Sequence, residues 1–246
     1  MAQNHKRPGN LPPAGHPFSQ DDIVWVLGSE ILSGARKPGD RMPGDAEMFG
    51  SFGVSRVVTR EVVKTLTAKG MVATRVGVGT IVQDPEHWNW FDHDVLSWRT
   101  RLGLDLDFWM QITEVRRVVE PAAASLAAQR RTKEHLKKLR EAVRAMAKSE
   151  HDHQKFASAD LAFHLAVSAA SGNKFFISFA GVIEAALLAL LSINTAATRK
   201  THVRAAEQHG QIVDAIEAKD RDAAALAMLE TIDAGYWHAK KARKKS

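Results

Sequence analysis

The sequence predicts a mostly α protein in two parts: three helices closed by a β-hairpin, then an all-α bundle. Two observations carry this. Residues 18–85 hold three segments of helical periodicity, followed by two short β-prone runs around Gly77-Val78-Gly79. Beyond Leu104 almost everything repeats at helical spacing, with no strand signal. The aromatic-rich stretch from Trp88 to Trp98 lies between them and reads as a connector. The expected division is a flexible tail at 1–17, a hairpin-bearing domain at 18–85, a linker at 86–104, a helical domain at 105–239 and a basic tail at 240–246. At roughly 100–200 residues per domain, 246 residues suit one large or two small domains.

Each element has a local reason. Ser19 is a good helix cap, with Asp21 and Asp22 in the first turn and Ile23, Val26, Leu27 and Ile31 recurring at helical spacing. Gly34 ends that helix and Lys37-Pro38-Gly39-Asp40 is a turn. Pro43 to Phe52 can form a second short helix, closed by Gly53. Ser55 caps a third, whose apolar face is Val58, Val62, Val63 and Leu66, and Gly70 closes it. Met71–Arg75 and Thr80–Gln83 form the hairpin. Helices are expected near 106–129, 133–149, 154–171, 173–194, 198–219 and 221–239. The first domain is thus a winged helix-turn-helix by pattern, with the third helix as its reading helix.

Composition narrows the function. There is no Cys, so disulfides, thiolate metal sites and a Cys nucleophile are excluded, and a reducing, cytoplasmic setting is expected. Met1 to Gly15 is polar and lacks an apolar core segment, so no secretory signal is predicted. The net charge of +6 resides at the two ends: residues 1–17 carry +2 and residues 238–246 carry +5, while 18–85 and 105–237 each balance to zero. The basic tail reads as a solvated helix end. Phe175 to Ile193 is near the length of a membrane span, but Glu184 at its centre is costly in lipid. It reads as one helix buried in the bundle, and no membrane association is expected.

Within the third helix Arg56, Arg60, Lys64 and Lys69 stand against Glu61, giving +3 on one element of a neutral domain. Ser55 and Arg56 sit at its N-terminus, where backbone N–H groups and the dipole favour phosphate and where such helices reach base edges. Gly77 and Gly79 allow a tight wing. Asp160 and His164 are spaced i, i+4, so both leave one helix face, and His209 lies on a later helix. Carboxylate plus imidazole at that spacing is half of a divalent metal site, or a hydrogen-bonded polar pair. Arg116 has Glu120 four residues on, which permits a simple ion pair. Asn173 suits a helix cap. The other histidines, among them His153 and His202, read as solvated. No Ser nucleophile elbow, P-loop or dinucleotide fingerprint is present.

These residues carry a resemblance. Gly34-x-x-x-Pro38-Gly39-Asp40-Arg41-Met42-Pro43, Phe52-Gly53-Val54-Ser55-Arg56, Arg60-Glu61 and Gly77-x-Gly79-Thr80-x-Val82 resemble GntR-type regulators. Glu114-Val115-Arg116-x-x-x-Glu120-Pro121, Asp160-x-x-Phe163-His164, Ser171-Gly172-Asn173 and His209-x-x-Ile212 resemble the FadR-type ligand domain, FCD. Trp88-Asn89-Trp90-Phe91-Asp92-x-Asp94-Val95-Leu96-x-Trp98 is similar to the linker of sugar-acid-responsive members. The resemblance implies a repressor that is not an enzyme, a homodimer on palindromic double-stranded operator DNA, released by a small carboxylate effector such as an aldonate. It implies DNA contacts from Arg41, Ser55, Arg56, Arg60, Lys64, Gly77 and Gly79, and effector contacts from Arg116 and Asn173. It implies a divalent metal, Zn or Ni, on Asp160, His164 and His209, with water or effector completing the set, because Thr231 stands where the family has a third His. Gly44-Asp45-Ala46-Glu47, Thr59, Val76 and Val78 depart from the usual pattern and bear on operator sequence. The alternatives are a metal-dependent enzyme on the bundle and a regulator answering to an apolar acyl ligand.

Overall fold

The computed structural model describes residues 17–103, 106–149, 151–193 and 199–243, with side chains of 189–193, 199 and 237–243 outside the description. The expected N-terminal tail, up to residue 16, and the side chains of the basic tail fall outside the described residues. The chain divides into two compact units, residues 1–103 and 104–246.

In the first unit, α1 (Gln20–Leu32) opens on a capping box in which Ser19 accepts from the Asp22 amide and the Asp22 carboxylate accepts from Ser19. Helix α2 (Asp45–Phe52) ends at Gly53, whose φ of 70° is the left-handed conformation that turns the chain into α3 (Arg56–Ala68). Ser55 caps α3, which buries Thr59, Val62 and Leu66 and leaves its other face in solvent. Strands β1 (Val72–Arg75) and β2 (Gly79–Val82) pair antiparallel with Thr74 opposite Thr80, and Arg41 bridges to Ile81 on the outer edge of β2. The winged helix expected from the sequence is present.

Residues 86–103 are not a free connector, which corrects the expected linker. A 3₁₀ turn (Pro85–His87) leads to α4 (His93–Arg101), and Trp88, Val95 and Trp98 join Ile23, Leu27, Met48, Leu66 and Met71 in one apolar core. Gly28 exists for this contact: a Cβ there would lie 2.3 Å from the Trp98 ring. Lys69, expected among the exposed charges of the reading helix, is instead buried. Its ammonium donates to Asp92 at 2.8 Å and Asp94 at 2.7 Å and sits over the Trp98 ring. Burial opposes its charge, but the two carboxylates hold its pKa above the ordinary value. The four aromatic residues of positions 88–98 gave no periodic signal because Trp88 and Trp98 reach the core from a turn and a short helix.

The second unit is all helical: α5 (Leu106–Arg130), α6 (Lys133–Ala147), α7 (His153–Ala170), α8 (Lys174–Ile177), α9 (Ala180–Ile193), α10 (Arg199–Ala218) and α11 (Arg221–Arg243). Helix α5 packs against α7, α10 and α11, and α6 packs against α7 and α10. Ala123, Ala124, Ala127 and Ala128 make α5 thin enough for close approach to Phe163, Val167, Ile212, Ile216 and Met228. Arg131 caps α10 by donating to the carbonyls of Ile216 and Glu217.

The stretch expected as one buried helix at 173–194 is two. The Ser178 amide and hydroxyl both turn back to the Lys174 carbonyl, ending α8, and α9 restarts at Ala180. Its burial is partial, since Phe175, Ile177 and Leu188 are exposed. Among the described residues no helix is long and apolar enough to cross a membrane. His202 is buried rather than solvated, stacked on Phe156 and bonded through Nδ1 to the Ser149 hydroxyl at 3.0 Å.

Gly28→Ala should destabilise the first unit by about 1–3 kcal/mol, because overpacking against Trp98 outweighs the roughly 1 kcal/mol that Ala gains over Gly in a helix. The check is the urea midpoint followed by circular dichroism. An unchanged or raised midpoint would show that Trp98 gives way freely.

Candidate nucleic-acid interface and metal centre

The exposed face of α3 carries Arg56, Val57, Arg60 and Lys64, opposite its buried Thr59, Val62 and Leu66. A groove of about 410 Å³ runs between the start of α2, this face and the wing, lined by Arg41, Arg60, Lys64 and Gly79 among others. The fold thus gathers four expected DNA-contacting residues in one basic concavity. Ser55 and Arg56 lie at the N-terminus of α3, with Arg56 3.4 Å from Asp45 and Lys64 2.7 Å from Glu61. Such exposed pairs are worth little and can exchange for phosphate. Gly77 (φ 76°) and Gly79 (φ 98°) hold the left-handed turns of the wing, and a Cβ on Gly79 would press on the Arg41 guanidinium at 3.3 Å. Lys69 is spent on Asp92 and Asp94 and does not belong to this surface.

In the second unit Asp160, His164 and His209 meet in the bundle interior, all three buried. Asp160 Oδ1 lies 2.9 Å from His209 Nε2 and 3.3 Å from His164 Nε2, and the two Nε2 atoms are 3.4 Å apart. Neighbouring donors in a tetrahedral site with bonds of 2.0–2.1 Å stand about 3.3–3.4 Å apart, so the triangle fits a small divalent ion. The other ring nitrogens point away to acceptors. His209 Nδ1 bonds the Ala205 carbonyl at 2.7 Å, and His164 Nδ1 contacts Glu120 Oε2. That arrangement places hydrogens on both Nδ1 atoms and lone pairs on both Nε2 atoms, as in metal-ligating histidines. Two lone pairs and a carboxylate then face one point, and Asp160 Oδ1, like Glu120 Oε2 and His164 Nδ1, lacks a well-aligned hydrogen bond despite its near neighbours. Such a set requires a cation, a proton or a metal.

Without a metal the proton takes that place. Burial disfavours charge on His164, but the Glu120 charge and the close polar contacts with Asp160 and Glu120 outweigh it and push the imidazole up to about 9. Burial also opposes the charge on Glu120, yet the Arg116 and His164 charges hold its carboxyl at about 2. Against its own burial, Asp160 is held well below the usual carboxylate range by both imidazoles.

Arg116 is buried and pairs with Glu120 through Nε, as its i, i+4 spacing allowed. The spacing gave no sign that the same carboxylate reaches across to His164 on α7, a contact the sequence reading missed. Asn173 has the geometry of a helix cap, its Oδ1 accepting from the Phe175 amide. The Thr231 hydroxyl donates to the Ala227 carbonyl of its own helix.

A winged helix with a cationic reading face, joined in sequence to an all-α domain, is the architecture of a transcriptional regulator. Comparisons with known proteins agree. Residues 20–82 match the gntR family of bacterial regulatory proteins and residues 111–234 match the FCD domain. The chain belongs to the GntR family, in its FCD-containing, FadR-like branch. It is 32% identical to the galactonate operon transcriptional repressor of Escherichia coli K12, covering 86% of this chain and 93% of that protein. It is 31% identical to the regulator LutR of Bacillus subtilis 168, covering 84% and 97%. A solved structure described as Lar, which controls the agr system of Listeria monocytogenes, shares the fold with a TM-score of 0.64 at 18% identity, covering 92% and 99%.

The sign of the charge effects gives a pH prediction. His and Glu titrate near 6.5 and 4.3 when unfolded. Stabilisation from the raised His164 is complete below about 6.5 and lost as pH rises toward 9. Stabilisation from the lowered Glu120 and Asp160 is complete above about 4.5 and lost as pH falls toward 2. Metal-free protein should therefore melt highest between about pH 5 and 6.5, and saturating Zn²⁺ should remove the alkaline loss. A metal-free Tm that is flat from pH 6 to 9 would show that His164 does not carry the proton.

Proposed function

We propose that this protein is a cytoplasmic repressor of a sugar-acid catabolic operon. It binds palindromic operator DNA as a homodimer and is released when a small carboxylate enters the helical domain. One observation carries the effector reading. Arg116 is buried, yet among the described residues its side chain bonds only Glu120, and through Nε alone. The four N–H donors on its two terminal nitrogens are available in the fork that matches a carboxylate. The same helix domain offers Asp160, His164 and His209 as three ligands for Zn²⁺ or Ni²⁺, leaving room for water or for an effector oxygen. When bound, such an ion supplies Lewis acidity that favours an anionic or hydroxyl-bearing ligand. Buried Arg116, Asp160, His164 and His209 disfavour an apolar acyl ligand, which would leave them unpaired. The similarity to the galactonate operon repressor of Escherichia coli makes galactonate a first ligand to try.

A single head reads only a short half-site, so a dimer on two half-sites is expected. Arg56 and Arg60 are the residues proposed to read it. Arg56→Ala should weaken binding to a duplex selected from random sequence by about 1–3 kcal/mol if it reads a base. Fluorescence anisotropy checks this, and wild-type affinity in a folded Arg56→Ala/Arg60→Ala variant would remove these residues from the interface. For the effector, His164→Ala should abolish metal uptake and the response to sugar acids while DNA binding persists. A panel of sugar acids with and without chelator, read by thermal shift and by release of DNA, tests it. An unchanged response in His164→Ala would place the sensor elsewhere.

A further inference from the structure

Glu120 is nearly inaccessible, at 2% exposed, and its two oxygens are divided between two partners. Oε1 accepts from the Nε–H of Arg116 on its own helix, and Oε2 is in close ion-pair contact with Nδ1 of His164 on α7, two atoms that have no other hydrogen-bond partner among the described residues. The far side of the same imidazole presents Nε2 to Asp160 and His209. A continuous chain of contacts therefore links the guanidinium to the three-donor cluster, and Glu120 is its middle member. We infer that Glu120 is a positioning residue that makes cation binding at Asp160, His164 and His209 and anion binding at Arg116 favour one another. The inference rests on the metal reading of that cluster.

The argument is one of buried charge. With both imidazoles neutral as ligands, Arg116, Glu120 and Asp160 leave the cluster with a net charge of minus one. A divalent cation turns that into plus one, and a monoanion on Arg116 then brings it to zero. Uncompensated charge is expensive in a water-excluded interior, so each ligand lowers the cost of the other. By linkage the effect is equal in both directions. Glu120 has a second, geometric part: a carboxylate on Nδ1 fixes the tautomer and orientation of a ligating imidazole and raises its basicity. Removing the Glu120 charge therefore opposes the cation twice, by charge balance and by ligand strength. Removing the Arg116 charge acts in the other direction, because Arg116 touches none of the three donors among the described residues. Its loss leaves a more negative cluster around the ion.

The test uses the full-length protein stripped of metal, with Zn²⁺ alone as probe, in competition with a colorimetric chelator at fixed pH. Glu120→Gln should weaken Zn²⁺ binding about 10- to 100-fold. Arg116→Gln should tighten it, and the double variant should return toward wild type. The visible absorption of the Co²⁺-loaded protein should shift in Glu120→Gln, since it reads the strength of the ligating nitrogen. A role in packing alone predicts weaker binding in both single variants, so the opposite signs are diagnostic. Zn²⁺ affinity in Glu120→Gln within about twofold of wild type, or weaker binding in Arg116→Gln, overturns the inference while the metal site stands. Failure of the wild-type protein to take up Zn²⁺ overturns the metal reading and the inference with it. Should Glu120→Gln not fold, the sign of the Arg116→Gln effect decides alone.

Discussion

The helical unit is organised around a buried convergence of charge that requires a cation. Asp160, His164 and His209 bring one carboxylate and two imidazoles within 2.9–3.4 Å of one another beside a core of Ala, Ile, Val, Leu, Phe and Met. Such a set is unstable unless a proton or metal neutralises it, and Arg116 and Glu120 provide the surrounding balance. The Ala run on α5 serves the same end. It lets α5 approach α7 closely enough for Glu120 to reach His164. Cluster and packing depend on each other.

The DNA-binding unit solves a different problem. A reading helix must present most of one face to water, yet be fixed well enough to place side chains against bases. Helix α3 does so by burying only Thr59, Val62 and Leu66 and by anchoring its last turn through Lys69 to Asp92 and Asp94. The aromatic segment that follows the wing completes the core, with Trp98 seated on Gly28. The charges left exposed on α3 are then Arg56, Arg60 and Lys64, framed by Arg41 on the edge of the wing. The basicity of the chain as a whole says little about DNA, because it lies at the termini. What matters is the local placement of these four cations.

The sequence by itself determined the architecture. Caps, glycines and apolar spacing fixed α1 to α3, the hairpin and most of the bundle, because those signals act over three or four residues. The i, i+4 spacing put Asp160 and His164 on one face, and the pairing of Arg116 with Glu120 was readable for the same reason. Tertiary structure alone decided what lies across helices. It brought His209 to 2.9 Å from Asp160, gave Glu120 its second partner and took Lys69 off the DNA surface. It also broke the apolar stretch after Asn173 into α8 and α9 and folded residues 86–103 into the first unit. Local propensity sees neighbours along the chain, whereas these outcomes turn on burial of charge and on which apolar surfaces meet. Those depend on distances that only the packed chain sets.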